Sequence, residues 1–158
     1  MSLKKSLPWV LLAFIACAVG GILLLKAPLG YISQEALSQP RVYAYKDWQS
    51  IGVQLNSGDR LYLRARGTWL YTPGEYHGPE GHKRYLAPNT YPIPGAAGGL
   101  LVARIGEDGP IIPIGRGTSL YVDQPGTLYL RINDDILSDN EGYVSIEVEV
   151  RVPEEDVD

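Results

Sequence analysis

The hydrophobic and polar positions of this chain form one unbroken apolar run near its start and many short alternating runs beyond residue 40. Apolar residues fill positions 7–25 almost completely, and Lys26 closes the run. The later alternation has the period of two that half-buried strands require. It is clearest over residues 127–132 and 144–152, where leucine, isoleucine and valine alternate with polar side chains. The pattern predicts an all-β domain preceded by one apolar segment.

Further strands are predicted wherever this alternation recurs between turns rich in Gly, Asn, Asp and Pro. They cover residues 42–45, 48–55, 61–71, 100–105, 111–114 and 120–122. Many short β-rich runs, together with 18 glycines and 12 prolines, favour a β-sandwich or barrel.

Residues 72–98 show no periodicity, and a loop of this length in a compact domain is usually functional or disordered. Its aromatic side chains argue against simple disorder. Tyr76, Tyr85 and Tyr91 can stack on a sugar ring, or they can simply fix the loop to the sandwich. Both interpretations stay open.

The N-terminal run predicts a transmembrane signal anchor over residues 7–26, because it approaches the ~20 residues of a spanning helix. Lys4 and Lys5 place the short tip, residues 1–6, in the cytoplasm and the remainder in the periplasm or outside the cell. No small-residue cleavage box follows the run, which favours an uncleaved anchor. Cleavage and lipidation at Cys17 are the alternatives.

Beyond the anchor, the breakers in residues 27–40 indicate a linker, and the folded domain is expected over residues 41–153. Residues 154–158 form an acidic tail.

Composition and charge exclude several classes of function. The single cysteine, Cys17, lies in the apolar run, so no disulfide framework or cysteine-based metal site is expected. Three of the 14 basic residues precede residue 27 and all 18 acidic residues follow it, which leaves a charge of −7 on the rest of the chain. That charge argues against a nucleic-acid partner. No nucleophile elbow, phosphate loop or dinucleotide motif is present, so we do not expect an enzyme.

The loop over residues 133–142 concentrates oxygen donors between the two clearest strands. Asp134, Asp139 and Asn140 can direct side-chain oxygens inward, and a tight loop also turns carbonyls inward, as calcium requires. The loop is not an EF-hand, because it lacks the glycine and the glutamate of that motif at the required positions. The alternative is a polar turn without an ion, since turns favour these residue types.

A second metal site is conceivable at His77 and His82, with Glu75 and Glu80 nearby. Imidazole and carboxylate both serve as ligands for zinc. These residues lie in the aperiodic segment, however, and the sequence gives no regular spacing that would align them.

Several motifs occur in an order that resembles the PA-IL (LecA-like) family of galactose-binding lectins. They are Trp48-Gln49, Asn56-Ser57-Gly58-Asp59, Gly67-Thr68-Trp69-Leu70-Tyr71, Gly78-Pro79-Glu80-Gly81, the run 98–106, and the stretch from Gly126 to Gly142. The resemblance covers roughly residues 41–152 and implies a jelly-roll-like β-sandwich. It also implies a calcium ion at one end that binds two hydroxyls of a sugar directly.

Transferred to this chain, the resemblance implies calcium ligands from the Tyr71 carbonyl and from the side chains of Asp134, Asp139 and Asn140. One more carbonyl would come from residues 136–138, taken here as that of Leu137. Asp134, Asp139 and Asn140 would also contact the sugar, as would Tyr85.

The sequence departs from these lectins in two places. The acidic loop is slightly shorter, and Tyr85 stands where the lectins have a histidine that contacts sugar. Metal binding therefore transfers to this chain better than galactose specificity does.

Two functions remain open at this point. One is a membrane-anchored, calcium-dependent module that binds a galactose-type glycan, and the other is a calcium-clamped structural or protein-interaction domain on the same scaffold. Assembly into a homo-oligomer is compatible with both.

Overall fold

The computed structural model of the protein describes residues 39–72 and 74–153. The predicted anchor, nearly all of the linker and the acidic tail lie outside these residues. Over the two described ranges, no helix combines the length and the apolar character needed to cross a membrane.

The described residues form strands that pair only with antiparallel neighbours. In chain order the strands are β1 (Arg41–Tyr43), β2 (Gln49–Leu55), β3 (Arg60–Thr72), β4 (Glu75–His77), β5 (Glu80–Leu86), β6 (Ala97–Ile105), β7 (Ile112–Pro113), β8 (Gly117–Tyr121), β9 (Gly126–Ile132) and β10 (Glu141–Arg151).

These strands make two five-stranded sheets. The first has the order β1-β10-β3-β4, and β8 also pairs with β3. The second has the order β2-β9-β6-β5, and β7 also pairs with β6. The core lies between the two sheets, so the predicted all-β sandwich is confirmed.

The longest pairing, β3 with β10, shows why alternation produces this architecture. Its register runs from Leu70 opposite Glu141 to Arg60 opposite Arg151. Successive side chains of a strand point to opposite faces, so one face of each strand supplies the core and the other meets water. The buried apolar members are Leu61, Leu63, Ala65, Trp69, Tyr71, Val144 and Ile146.

The segment predicted as an aperiodic loop differs from that expectation, because it contains strands β4 and β5. Both lack the alternation by which a half-buried strand is recognised: β4 is mostly exposed, and the second half of β5 is fully exposed. Backbone pairing at a sheet edge, and not burial, makes these residues extended.

The acidic loop joins β9 of the second sheet to β10 of the first. It contains one short 3-10 turn, Leu137–Asp139. The loop therefore crosses one end of the sandwich. There it meets the backbone of Ile93, in the segment between β5 and β6, and that of Ala97 at the start of β6.

Candidate metal centre

Two buried side chains of the acidic loop, Asp134 and Asn140, contact each other directly. Asn140 Nδ2 donates to Asp134 Oδ2 at 2.7 Å, and each residue is only 3 % exposed. The other carboxylate oxygen of Asp134 accepts the backbone N–H groups of Asp135 at 2.7 Å and Ile136 at 3.3 Å. The turn after β9 thus holds a buried carboxylate in one orientation.

The amide of Asn140 is only partly satisfied. Its Nδ2 also lies 3.4 Å from the Ile136 carbonyl oxygen and 3.5 Å from that of Ala44. Its Oδ1 is buried and has no hydrogen-bond partner among the described residues. A buried polar atom without a partner is uncommon in a folded protein and calls for an explanation such as a bound ion or water.

The 3-10 turn supplies the remaining predicted ligands of this loop. The carbonyl of Leu137 accepts the Asn140 N–H at 3.4 Å, so it lies at the base of the turn. Asp139 is exposed on the same turn. Asn140 therefore contacts Asp134 through its side chain and Leu137 through its backbone, whereas Asp139 is exposed to solvent.

Tyr71 reaches the same end of the molecule from the end of β3. Its ring is buried, and its hydroxyl forms a 3.0 Å hydrogen bond with that of Tyr91. Burial raises the pKa of both phenols, and the nearby charge of Asp134 raises each pKa further. Both tyrosines therefore stay neutral in ordinary solution conditions, and one of the two hydroxyls donates its proton to the other.

Tyr85, the residue expected at the sugar, lies on the exposed half of β5. Its ring is 43 % exposed, with its centroid 6.2 Å from that of Tyr71 and 6.4 Å from that of His82. An aromatic face is thus accessible to solvent beside the buried Tyr71.

Asn133, the first residue of the acidic loop, has a structural role that the sequence did not reveal. It is fully buried, and its Oδ1 accepts the Ile93 N–H at 2.8 Å. Its Nδ2 donates to the carbonyls of Ile93 and Ala97, each at 3.1 Å. This one side chain fixes the segment between β5 and β6 against the acidic loop.

Arg131 braces the acidic loop from the other side. Its Nη2 donates to the Asp134 carbonyl at 2.7 Å, and its Nη1 pairs with Asp47. The guanidinium also lies over the Trp48 ring, 5.5 Å from the centroid. A groove of about 400 Å³ opens here, with Trp48, Tyr91, Arg131 and Asp134 in its wall.

Three residues of the alternative histidine site also lie close together in the structure. Glu75, His77 and His82 place one ligand atom each within 4.8 Å of one another. Glu80 is not part of this group, because its carboxylate pairs with Arg116 at 2.8 Å.

The donor set of the acidic loop suits a hard cation better than a transition metal. It consists of carboxylate, amide and carbonyl oxygens, which are the ligands of calcium. Asn140 Oδ1, which is buried and lacks a partner in the part of the chain that the structure describes, is the atom that such an ion would satisfy.

The two sheets, bridged at one end by an acidic loop, give the described residues a lectin-like β-sandwich fold. The solved structure of the EclA N-terminal domain, described as a PllA-like lectin, superposes with a TM-score of 0.55 at 24 % sequence identity. The match covers 70 % of this chain and 93 % of that domain, and at this identity it establishes the fold alone. No protein-family profile and no curated protein sequence matches the chain.

Proposed function

We propose that this protein is a membrane-anchored, calcium-dependent carbohydrate-binding domain that takes galactose-type sugars. The observation that carries the proposal is the buried pair of Asp134 and Asn140 at the end of a lectin-like sandwich, where the amide oxygen has no partner within residues 39–72 and 74–153. A cation that takes the amide oxygen of Asn140 and lies near the carboxylate of Asp134 would offset the cost of burying these two groups. Nothing in the proposed role requires catalysis.

In the proposed site the protein supplies oxygens and leaves coordination positions to the sugar. Asp134, Asp139 and Asn140 would contribute side chains, and Tyr71 and Leu137 would contribute carbonyls. Calcium takes roughly 6–8 oxygen ligands, so two hydroxyls of a sugar complete a shell that these residues leave open. Tyr85 offers an exposed ring on which the apolar face of galactose packs.

The proposed location follows from the N-terminal sequence. The apolar run would hold the chain in the membrane by residues 7–26, with the binding domain in the periplasm or outside the cell. Glycans are abundant on that side of the membrane, and a tethered domain would meet them as a surface array.

A second function is favoured by the depth of the acidic loop. Asp134 and Asn140 are each only 3 % exposed, and both oxygens of Asp134 already accept hydrogen bonds. An ion held this deeply would clamp the turn between β9 and β10 without reaching a sugar. The domain would then be a calcium-stabilised scaffold for protein partners.

The decisive experiment is calorimetry on the full-length chain, purified in a mild detergent and stripped with a chelator. Calcium is titrated first, and galactose and other monosaccharides follow in the same cell. Heat from both titrations supports the lectin. Heat from calcium but not from sugar supports the calcium-stabilised scaffold. The absence of heat from calcium contradicts both the lectin and the scaffold.

Variants of the acidic loop identify the residues that bind calcium. Asp134→Asn keeps the shape of the buried side chain but removes its charge, so we expect calcium affinity to fall at least about tenfold, or roughly 1.4 kcal/mol. Asp135→Asn makes the same change on the exposed neighbour and is the matched control. Equal losses in the two variants would mean that general charge, and not coordination, attracts the ion.

For sugar binding, Asp139→Ala and Asn140→Ala are expected to abolish the galactose heat while the domain still folds at high calcium. Unchanged galactose binding in either variant contradicts the lectin proposal.

A further inference from the structure

We propose that Glu75, His77 and His82 form a second metal site, separate from the acidic loop, that binds a divalent transition ion of the zinc type. The three ligand atoms converge within 4.8 Å, and they come from strands that the sequence pattern did not predict. Two imidazoles and one carboxylate suit zinc and are a poor set for calcium.

Two of the three distances within the cluster match those between the ligands of a tetrahedral ion, and the third pair of ligand atoms lies within 4.8 Å. The Nε2 atom of His77 lies 3.3 Å from Glu75 Oε2, and that of His82 lies 3.5 Å from the same oxygen. Zinc bonds of about 2.0–2.2 Å in a tetrahedron set neighbouring ligand atoms ~3.3–3.5 Å apart. The side chains therefore need little movement to bind an ion.

One ring nitrogen of His77 is in the state expected of a metal ligand whose ion is not bound. Its Nε2 is buried and has no hydrogen-bond partner among the described residues, because the contact with Glu75 lacks hydrogen-bond geometry. The His77 ring packs edge-on against Tyr71, with 6.2 Å between centroids, and lies 4.5 Å from the His82 ring. A nitrogen held in this way is oriented before any ion arrives.

The backbone explains how residues that are close in sequence converge. Glu75 and His77 alternate along β4 and so share one face of the strand. Gly78 and Pro79 then turn the chain, with the Gly81 N–H donating to the Gly78 carbonyl at 3.0 Å. His82 follows on β5, where its ring lies 4.5 Å from that of His77. A shallow cavity of about 470 Å³ lies over the three side chains, which gives an ion a path from solvent.

Three protein ligands leave a fourth position for water or for a ligand from solution, the arrangement of open zinc sites. Glu75 is 61 % exposed at its side chain, so the site is expected to exchange its ion readily.

Binding through Nε2 of His82 has a chemical consequence that can be observed. The Arg84 N–H lies 3.2 Å from Nδ1 of His82, which makes Nδ1 the acceptor and leaves the ring proton on Nε2. Coordination at Nε2 moves that proton to Nδ1 and breaks this exposed contact, which is at the long end of the hydrogen-bond range. Zinc should therefore switch the tautomer of His82.

The chain contains only two histidines, so nuclear magnetic resonance of histidine-labelled protein reports on this site alone. The sample is the tag-free full-length chain in a mild detergent, with Cys17→Ser to remove the one thiol and excess calcium to occupy the acidic loop. Zinc is titrated while the nitrogen shifts of both imidazoles are followed.

We expect both rings to shift together, to saturate at one equivalent of zinc, and to show the His82 proton on Nδ1. The variant Glu75→Gln should weaken zinc binding by about 100-fold or more, because even outer-shell partners are worth roughly 10–100-fold. Glu107→Gln, which changes an exposed acidic residue elsewhere, should leave binding unchanged.

A shift in only one ring, shifts that do not saturate, or equal affinity in Glu75→Gln and the parent chain would each overturn the site. Cobalt is a second probe on the same sample. Visible absorption typical of four-coordinate Co²⁺, lost in His82→Gln, supports the geometry, and a six-coordinate spectrum contradicts it.

Discussion

At the scale of single residues, the amide of Asn133 stabilises the site end of the sandwich more directly than the acidic side chains do. It makes three hydrogen bonds to the backbone of residues 93–97 and is fully buried. We expect Asn133→Ala to lower the free energy of unfolding by about 3 kcal/mol, because it leaves buried backbone groups without hydrogen-bond partners. Urea denaturation of the full-length chain measures this change.

The control for that variant is Asn89→Ala, an exposed asparagine in the same segment, which should change stability by less than about 0.5 kcal/mol. Similar losses in the two variants would show that the Asn133 hydrogen bonds do not hold the segment.

The sequence analysis singled out the loop that contains Asn133, but it assigned this residue no role. Asp134 and Asn140 were predicted as ligands because oxygen donors cluster there, and the structure places them in contact. The partners of Asn133 lie 36 to 40 residues away, and no local pattern links such distant groups. Similarly, the sequence cannot show that Asp139 is exposed while Asn140 is buried, since this depends on how the 3-10 turn packs.

At the scale of elements, the connection between β4 and β5 depends on Gly81. It has φ of +72°, and a Cβ there would lie 2.5 Å from the Gly98 carbonyl oxygen. We expect Gly81→Ala to destabilise the protein through both backbone strain and this clash with rigid backbone. Gly74→Ala separates the two effects, because Gly74 has φ of +81° and open space around it.

Thermal or urea unfolding should show Gly81→Ala to be less stable than Gly74→Ala by about 1–3 kcal/mol, the usual cost of overpacking. If the two variants are equally stable, the β4–β5 connection is not closely packed against β6.

The clearest strands in the sequence are those whose two faces differ. β3, β9 and β10 alternate because one face packs in the core and the other meets water. β4 and β5 were missed because they lie at sheet edges, are largely exposed and are rich in charged side chains. The sequence analysis therefore placed the histidine site on an irregular loop. In the structure, the pairing of β4 with β3 and of β5 with β6 brings its side chains together.

At the scale of the whole molecule, charge and architecture favour cations at one end of the domain. The chain beyond residue 26 carries a charge of −7, which raises the local concentration of divalent ions. Tyr71 connects the two proposed sites, since its hydroxyl contacts Tyr91 beside Asp134 and its ring packs on His77. Oxygen donors gather on the acidic loop and nitrogen donors on β4 and β5, so the two sites select different ions.

The proposed tether leads to a prediction about surface density that rests on the proposed sugar site. A single open calcium site binds one sugar weakly, but neighbouring copies in a membrane can bind one multivalent glycan at high effective concentration. The full-length chain, reconstituted in liposomes at high density, should bind a galactose-bearing polymer about 10²–10⁴-fold more tightly than free galactose.

Dilution of the chain in the same liposomes should remove most of this gain, and calcium removal or Asn140→Ala should remove all polymer binding. Surface plasmon resonance on captured liposomes measures each case. An affinity for the polymer that does not depend on protein density would mean that one domain recognises an extended glycan by itself. The groove beside Trp48 and Arg131, and not the array of tethered copies, would then be the source of the affinity.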